Sequence, residues 1–184
     1  MSRWALKHDK IVDPRFFEEL RPFTSRGEHS VFQSLDHKLA IKVTHAGKFG
    51  YSLWAEGLSA TPLEYLERLE WQNHIFGDDI RLIGLTGSDR LMRIVTSQPW
   101  IKEPEYAPPP TEYEISEYLK SLRFECFEVN PGVSMHFHRR YEIVVADLHV
   151  GNVLRSEGKL VPIDVVIGKP GPALREKIRR LLGM

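Results

Sequence analysis

The sequence lacks most of the features that would place it in a membrane, in a disulfide-rich class or on a nucleic acid. Its 184 residues include one cysteine, Cys126, which excludes an internal disulfide framework and a multi-cysteine zinc site. No run of about eighteen apolar residues occurs, so no bilayer-spanning segment is predicted. The 25 Lys and Arg residues balance the 25 Asp and Glu residues, so charge does not favour nucleic acid or an anionic membrane as the partner.

The N-terminus lacks targeting features too. Residues 1–9 contain no sustained apolar stretch and no cleavage-site pattern, so we expect no signal peptide and a cytoplasmic location. Cys126 lies in an alternating apolar run, which predicts a buried structural thiol. With 42% hydrophobic and 27% charged residues, the chain suits one compact domain with a real core.

The first half of the chain predicts a small antiparallel sheet that carries one helix. Asp13 followed by Pro14 indicates a helix start, and apolar spacing predicts a longer helix over residues 62–76 with Thr61 as its N-cap. Strands are predicted over four segments, at residues 28–33, 38–44, 80–85 and 91–96.

A proline-rich segment separates this half from the rest. Residues 99–110 hold five of the twelve prolines, which is typical of a hinge or linker. We therefore predict an N-lobe over 1–98, a hinge over 99–110 and a reduced C-lobe over 111–184. The C-lobe pattern predicts further elements: a helix over 112–123, a strand over 143–146, a hairpin turning at 156–159 and a helix over 172–182.

Oxygen-bearing side chains converge in this C-lobe. Asp147 ends the apolar strand over 143–146, Asn152 precedes the hairpin and Asp164 follows it. If the turn centres on Gly158, Asn152 and Asp164 lie almost opposite each other at one end of the two strands. Carboxylate and amide oxygens suit Mg²⁺ with a nucleotide triphosphate. Asp164 also lies within a hydrophobic run, where an ionised group is costly unless it is paired or bound to a metal.

These residues resemble a known family. Asp147, Asn152 and Asp164 have the order and spacing of the catalytic loop and metal-binding Asp of protein kinase-like folds. The sequence of residues 147–154 is similar to that of the catalytic loop of aminoglycoside phosphotransferases. Over about residues 24–168, the chain looks like the compact kinase-like domains of phage and mobile-element polyvalent proteins. The supporting motifs are Gly27-Glu28-His29, Ile41-Lys42-Val43-Thr44, Glu64-Tyr65-Leu66, Phe76-Gly77-Asp78-Asp79 and Val145-Ala146-Asp147.

The resemblance implies an α+β, minimal bilobal fold with a truncated C-terminal lobe, and ATP and Mg as cofactors. Lys42 would contact the α- and β-phosphates, oriented by Glu67 or Glu64. Asp147 would be the base, and Asn152 and Asp164 would hold Mg²⁺. The remaining residues implied for nucleotide binding are Gly27 in the covering turn, Val31, Ala40, Leu154 and Ile163 around the adenine, and Thr96 at the start of the hinge.

Several departures limit this expectation. The nucleotide-covering turn has a single glycine, Gly27, and Val145 and Ala146 replace the usual His and Arg. Only twenty residues follow Asp164, so the usual recognition of protein substrates is not expected. The acceptor stays open between a small molecule and a protein presented by a partner. The alternatives are a degenerate kinase-like module that binds a nucleotide or a protein without turnover, and a purely structural or interaction protein of phage origin whose acidic residues are incidental.

Overall fold

The computed structural model describes residues 2–55, 57–88, 91–106 and 108–184. Contacts divide the chain into two compact units. The first comprises residues 1–50 and 78–100, and the second comprises residues 51–77 and 101–184. The lobe and hinge boundaries stay a prediction, and position 107 of the predicted hinge lies outside the described residues. No helix of the described chain is long and apolar enough to cross a membrane.

The first unit is built on a five-stranded antiparallel sheet with strand order β1-β2-β3-β5-β4. A 3-10 helix over Pro14–Glu19 packs Phe16 and Phe17 against one sheet face, where Ile41, Val43 and Val95 form the core. The elements of this unit are α1 (Ser2–Lys7), β1 (Arg21–Arg26), β2 (His29–Gln33), β3 (Leu39–Thr44), β4 (Arg81–Thr86) and β5 (Arg93–Pro99).

The second unit places helices on both faces of a four-stranded antiparallel sheet. Its elements are α2 (Pro62–Phe76), α3 (Glu112–Ser121), β6 (Phe124–Asn130), β7 (Val133–His138), β8 (Ile143–Ala146), a 3-10 helix over Val150–Asn152, β9 (Val153–Ser156), β10 (Lys159–Pro162), β11 (Val166–Gly168) and α4 (Pro172–Leu181). The sheet has the order β11-β8-β7-β6, and β9 and β10 form a separate hairpin.

Alternation along β8 explains the two cores of this unit. Ile143 and Val145 face a cluster that includes Ile115 and Leu119 of α3, whereas Val144 faces Ile178 of α4. Successive strand residues point to opposite faces, so an apolar run of this kind is expected in a strand covered on both sides. Mixed helices and antiparallel sheets confirm the predicted α+β class.

The local signals for helices and turns are confirmed. Helix α2 spans Pro62–Phe76 as predicted, and Thr61 and Glu64 form a reciprocal capping box at its start. Asp13 caps the 3-10 helix through the N–H of Arg15. The hairpin turn is confirmed as well, since Ser156 and Lys159 are paired and both residues between them have positive φ.

Two expectations for individual positions are wrong. Strand β5 runs to Pro99, so the strand predicted to end at Thr96 is longer, and the backbone up to Pro99 is paired with β3. Cys126 is exposed instead of buried. Cys126 lies on the same face of β6 as Phe124, but α3 covers that face only near Phe124. Phe127 and Val129 are buried on the opposite face, which packs against α4.

Gly171 provides a test of this architecture. It precedes α4 and donates its N–H to the Leu53 carbonyl at 2.9 Å. A Cβ at this position would lie 1.8 Å from the Trp54 carbonyl oxygen, so the loop must move. We expect Gly171→Ala to lower the free energy of unfolding by about 1–3 kcal/mol in a denaturant titration.

Gly168→Ala is the matched control, because its Cβ would make only ordinary contact, at 3.7 Å from Leu53 Cδ1. Equal losses of stability in the two variants would contradict the close packing of α4's start on residues 53–54.

Candidate functional site

Four of the predicted nucleotide-binding residues lie on one face of the five-stranded sheet. Val31, Lys42 and Thr96 are directly paired across β2, β3 and β5. Residues opposite one another in antiparallel strands project to the same face of the sheet. Ala40 projects to this face too, because it lies two residues before Lys42 in β3. This face is the one away from the Phe16 and Phe17 core. The first unit therefore presents Lys42 at the middle of a row of predicted contacts.

The same face carries one residue that the sequence did not suggest. Gln98 is paired with Ala40 and is only 6% exposed. Thr96, predicted at the start of the hinge, lies within β5 and is buried. Gly27 has φ +56 and shares the two-residue turn between Arg26 and His29 with Glu28, so this turn is very short. A short β-hairpin turn favours glycine at a positive φ.

Asp147 follows β8 and is held in an unusual backbone conformation. Its φ is +57, a region that few residues other than glycine adopt. The side-chain amide of Asn152 donates to the Asp147 carbonyl oxygen at 2.8 Å. The backbone N–H of Asn152 also donates to the His149 carbonyl at 2.9 Å, which closes the short 3-10 helix. The loop is thus tied together around Asp147, and the carboxamide oxygen of Asn152 does not take part in this bond.

His149 lies in the same loop, although the sequence pattern assigned it no role beside Asp147. Its Nδ1 accepts the Gly151 N–H at 3.0 Å, so the neutral ring carries its proton on Nε2. That Nε2 lies 3.6 Å from Asp147 Oδ1. A Cβ on Gly151 would lie 2.9 Å from His149 Cε1, so the missing side chain leaves room for the ring. The spacing of His149 and Gly151 was visible in the sequence, but nothing there indicated that the ring folds back.

The β9–β10 hairpin brings Asn152 and Asp164 close in register. Val153 is paired with Pro162, and the Ile163 N–H donates to the Asn152 carbonyl at 2.9 Å. Ile163 is therefore opposite Asn152, and Asp164 is the next residue. The pairing of Leu154 with Val161 puts Leu154 on the same ribbon face as Asn152 and Ile163. All three are half-buried on that face, whereas the side chain of Val153 packs into the core.

Asp164 has a basic partner that the sequence analysis missed. Arg68 of α2 donates from Nη2 to Asp164 Oδ1 at 3.2 Å. The side chain of Arg68 is 7% exposed and that of Asp164 is 43% exposed, so the carboxylate still reaches solvent. The two residues are 96 positions apart, and no local pattern links them. The guanidinium satisfies the requirement that a carboxylate in a hydrophobic run be paired.

The two glutamates predicted to orient Lys42 lie in different surroundings. Glu64 accepts hydrogen bonds from the Ser52 hydroxyl and from the Thr61 N–H at the start of α2. Burial alone raises the pKa of Glu64, but these hydrogen bonds outweigh it and lower the pKa overall. Glu67 lies on the exposed side of the helix. Glu64 therefore has a structural task in the helix cap, and both Glu67 and Glu64 stay predictions for the Lys42 partner.

The segment that follows β5 is attached to the hairpin by polar contacts. Arg155 pairs with Glu114 of α3 at 2.8 Å, and the Ser156 hydroxyl donates to the Lys102 carbonyl at 3.0 Å. Hydrogen bonds from the Thr111 backbone and from Arg155 lower the pKa of Glu114 to about 2. The proline-rich segment is therefore anchored to the same hairpin that carries Leu154 and precedes Asp164.

Comparison with known proteins identifies the family. Neither curated proteins nor solved structures give a significant match to this chain. A family model matches residues 1–168, and its description is a Serine/Threonine/Tyrosine Kinase found in polyvalent proteins. The match confirms the predicted kinase-like domain, while the likeness to aminoglycoside phosphotransferases stays a prediction. Such a family implies phosphotransferase chemistry with ATP and a metal ion in general. The chain belongs to the family of kinases found in polyvalent proteins.

Proposed function

We propose that this protein transfers the γ-phosphoryl group of ATP to an alcohol group with the help of Mg²⁺. The observation that carries the proposal is the bond from the Asn152 amide to the Asp147 carbonyl. It directs the nitrogen of Asn152 into the loop and leaves the oxygen out of this bond, and Asp164 follows Ile163, the residue that pairs with Asn152. An amide and a carboxylate oxygen are the ligand types that Mg²⁺ accepts.

Each of the other residues has a role in the same proposal. Asp147 accepts the proton of the attacking hydroxyl, and His149 lies against its carboxylate at 3.6 Å. Lys42 contacts the α- and β-phosphates, with Glu67 or Glu64 as the residue that orients it. Val31, Ala40, Leu154 and Ile163 contact the adenine, Gly27 covers the phosphates, and Thr96 contributes from β5, where it is paired with Lys42. Catalysis then depends on positioning and on neutralising charge.

A second function has its own supporting observation. The guanidinium of Arg68 is bound to Oδ1 of Asp164, which is one of the two carboxylate oxygens that could bind the metal. The turn above the phosphates also contains a single glycine. These features favour a module that binds a nucleotide, or a protein partner, without turnover. Nucleotide binding and turnover therefore have to be measured separately.

The decisive experiment is calorimetry of ATP binding with and without Mg²⁺ on the native protein and on Asp164→Asn. We expect Mg²⁺ to strengthen nucleotide binding to the native protein and to have no such effect on Asp164→Asn, because the amide cannot replace the carboxylate charge. Asp79→Asn is the control, since Asp79 is an exposed carboxylate that pairs with Arg81. Binding without turnover would support the second function. The absence of any nucleotide binding would contradict both nucleotide-dependent roles and leave the binding of a protein partner.

A further inference from the structure

A cationic pocket lies on the second unit, away from the loop that carries Asp147. It has a volume of about 310 Å³ and is formed where α2, α3 and β7 end. Its lining residues are His74, Ile75, Ser121, Leu122, Arg123, His138, Arg140 and Tyr141. Two of these are arginines and none is an acid, so the pocket has a net positive charge.

The two arginines have no acidic partner within the described parts of the chain. Arg139, by contrast, has an acidic partner: it forms two hydrogen bonds with Glu125, one of them from Nη2 at 2.7 Å. Its neighbour Arg140 instead lies over the Tyr141 ring, with Cζ 5.4 Å from the ring centroid. Arg123 has φ +67 directly after α3, which turns the chain at the pocket wall. Two guanidiniums are thus available to a ligand.

The floor of the pocket is aromatic. The Tyr141 ring lies 5.1 Å from the His74 ring and 4.7 Å from the His138 ring, measured between centroids. The buried His138 also accepts the Tyr141 N–H at 3.3 Å through Nδ1. Burial lowers the pKa of His138, and the charges of Arg123 and Arg140 lower it further. None of the lining residues is an acid that would offset the charge of the two arginines.

We propose that this pocket binds a phosphate monoester. Arginine guanidiniums match the geometry of phosphate oxygens and bind them through paired, charge-assisted hydrogen bonds. Ile75, Leu122 and the Tyr141 ring supply an apolar wall for the group that carries the phosphate, and the cavity is larger than the anion alone requires. Arg140 already lies over the Tyr141 ring, which reduces the entropy lost when it binds a ligand. This site does not depend on the proposed transfer reaction.

Calorimetry with phenyl phosphate on the full chain tests the proposal. We expect phenyl phosphate to bind in the presence of saturating ATP and Mg²⁺, and phenol not to bind. Arg140→Gln and Arg123→Asn should each weaken phenyl phosphate binding by about tenfold, as expected for lost hydrogen bonds to a charged group. Asn is chosen at position 123 because it tolerates a positive φ. A phosphotyrosine peptide that binds more tightly than phenyl phosphate points to a protein source, and equal binding points to a free phosphate ester.

Arg180→Gln is the matched control. Arg180 is an exposed arginine on α4 that does not line the pocket, and its loss should change the binding constant by less than about twofold because the charge of an exposed side chain outside the pocket is screened by salt. Thermal unfolding of each variant shows whether the fold persists. The proposal is overturned if ATP displaces phenyl phosphate, if phenol binds equally well, or if folded Arg123 and Arg140 variants bind as tightly as the native protein.

Discussion

Asp147→Asn is expected to lower the rate of phosphoryl transfer by about 10²–10⁴-fold, the range attributed to a positioned general base. The substitution preserves the size of the side chain but removes its ability to accept the hydroxyl proton. Asn152 contacts the backbone carbonyl of Asp147 and not its side chain, so the loop should keep its shape. Nucleotide affinity should therefore stay nearly unchanged. Phosphate release from ATP, with water and with candidate alcohols as acceptors, measures the rate, and calorimetry measures the affinity.

Asp9→Asn is a closely matched control for this variant. Asp9 is also an exposed aspartate with a positive φ, at +53, but it lies before the sheet of the first unit and has no proposed role. Any general effect of replacing aspartate by asparagine in this backbone conformation appears in both variants. Unchanged turnover in Asp147→Asn would remove Asp147 from the role of base.

Arg68→Met is expected to raise the Mg²⁺ concentration needed for half-maximal nucleotide binding by about 10–100-fold, as is typical when a partner that orients a metal ligand is removed. Arg68 holds Asp164 Oδ1 at 3.2 Å and so fixes the direction of the carboxylate. Its removal also takes away a positive charge that repels Mg²⁺. Because Asp164 is 43% exposed, that repulsion is screened to about 1 kcal/mol or less, so the loss of orientation outweighs it.

The variant should remain folded. Methionine keeps most of the apolar volume of the buried Arg68 side chain, and the carboxylate that loses its partner still reaches water. Glu70→Gln controls for changes in the charge of α2, since Glu70 is an exposed residue of the same helix. Magnesium titrations followed by calorimetry give the result. Tighter Mg²⁺ binding in Arg68→Met would show instead that Arg68 competes with the metal for Asp164.

Much of the fold could be predicted because its signals are local. Thr61 and Glu64 lie within one helical turn, and the hairpin turn at residues 156–159 depends on its own two central residues. The placement of Asp147 and Asn152 was predictable for the same reason, since the two residues are only five positions apart in the loop that follows an apolar strand. Cys126 shows the limit of local reasoning. Strand alternation assigns it a face but does not say how far a helix covers that face.

The sequence by itself determined the α+β class, the kinase-like family and the candidate loop from Asp147 to Asp164. Only the tertiary structure placed Arg68 on Asp164 and gathered Arg123, Arg140 and Tyr141 around one cavity. It also showed that Glu64 belongs to a helix cap. The physical reason is how far apart in the sequence the interacting residues lie. Caps, turns and loop motifs are decided by neighbours in sequence, whereas a partly buried ion pair or a pocket depends on which distant elements pack together.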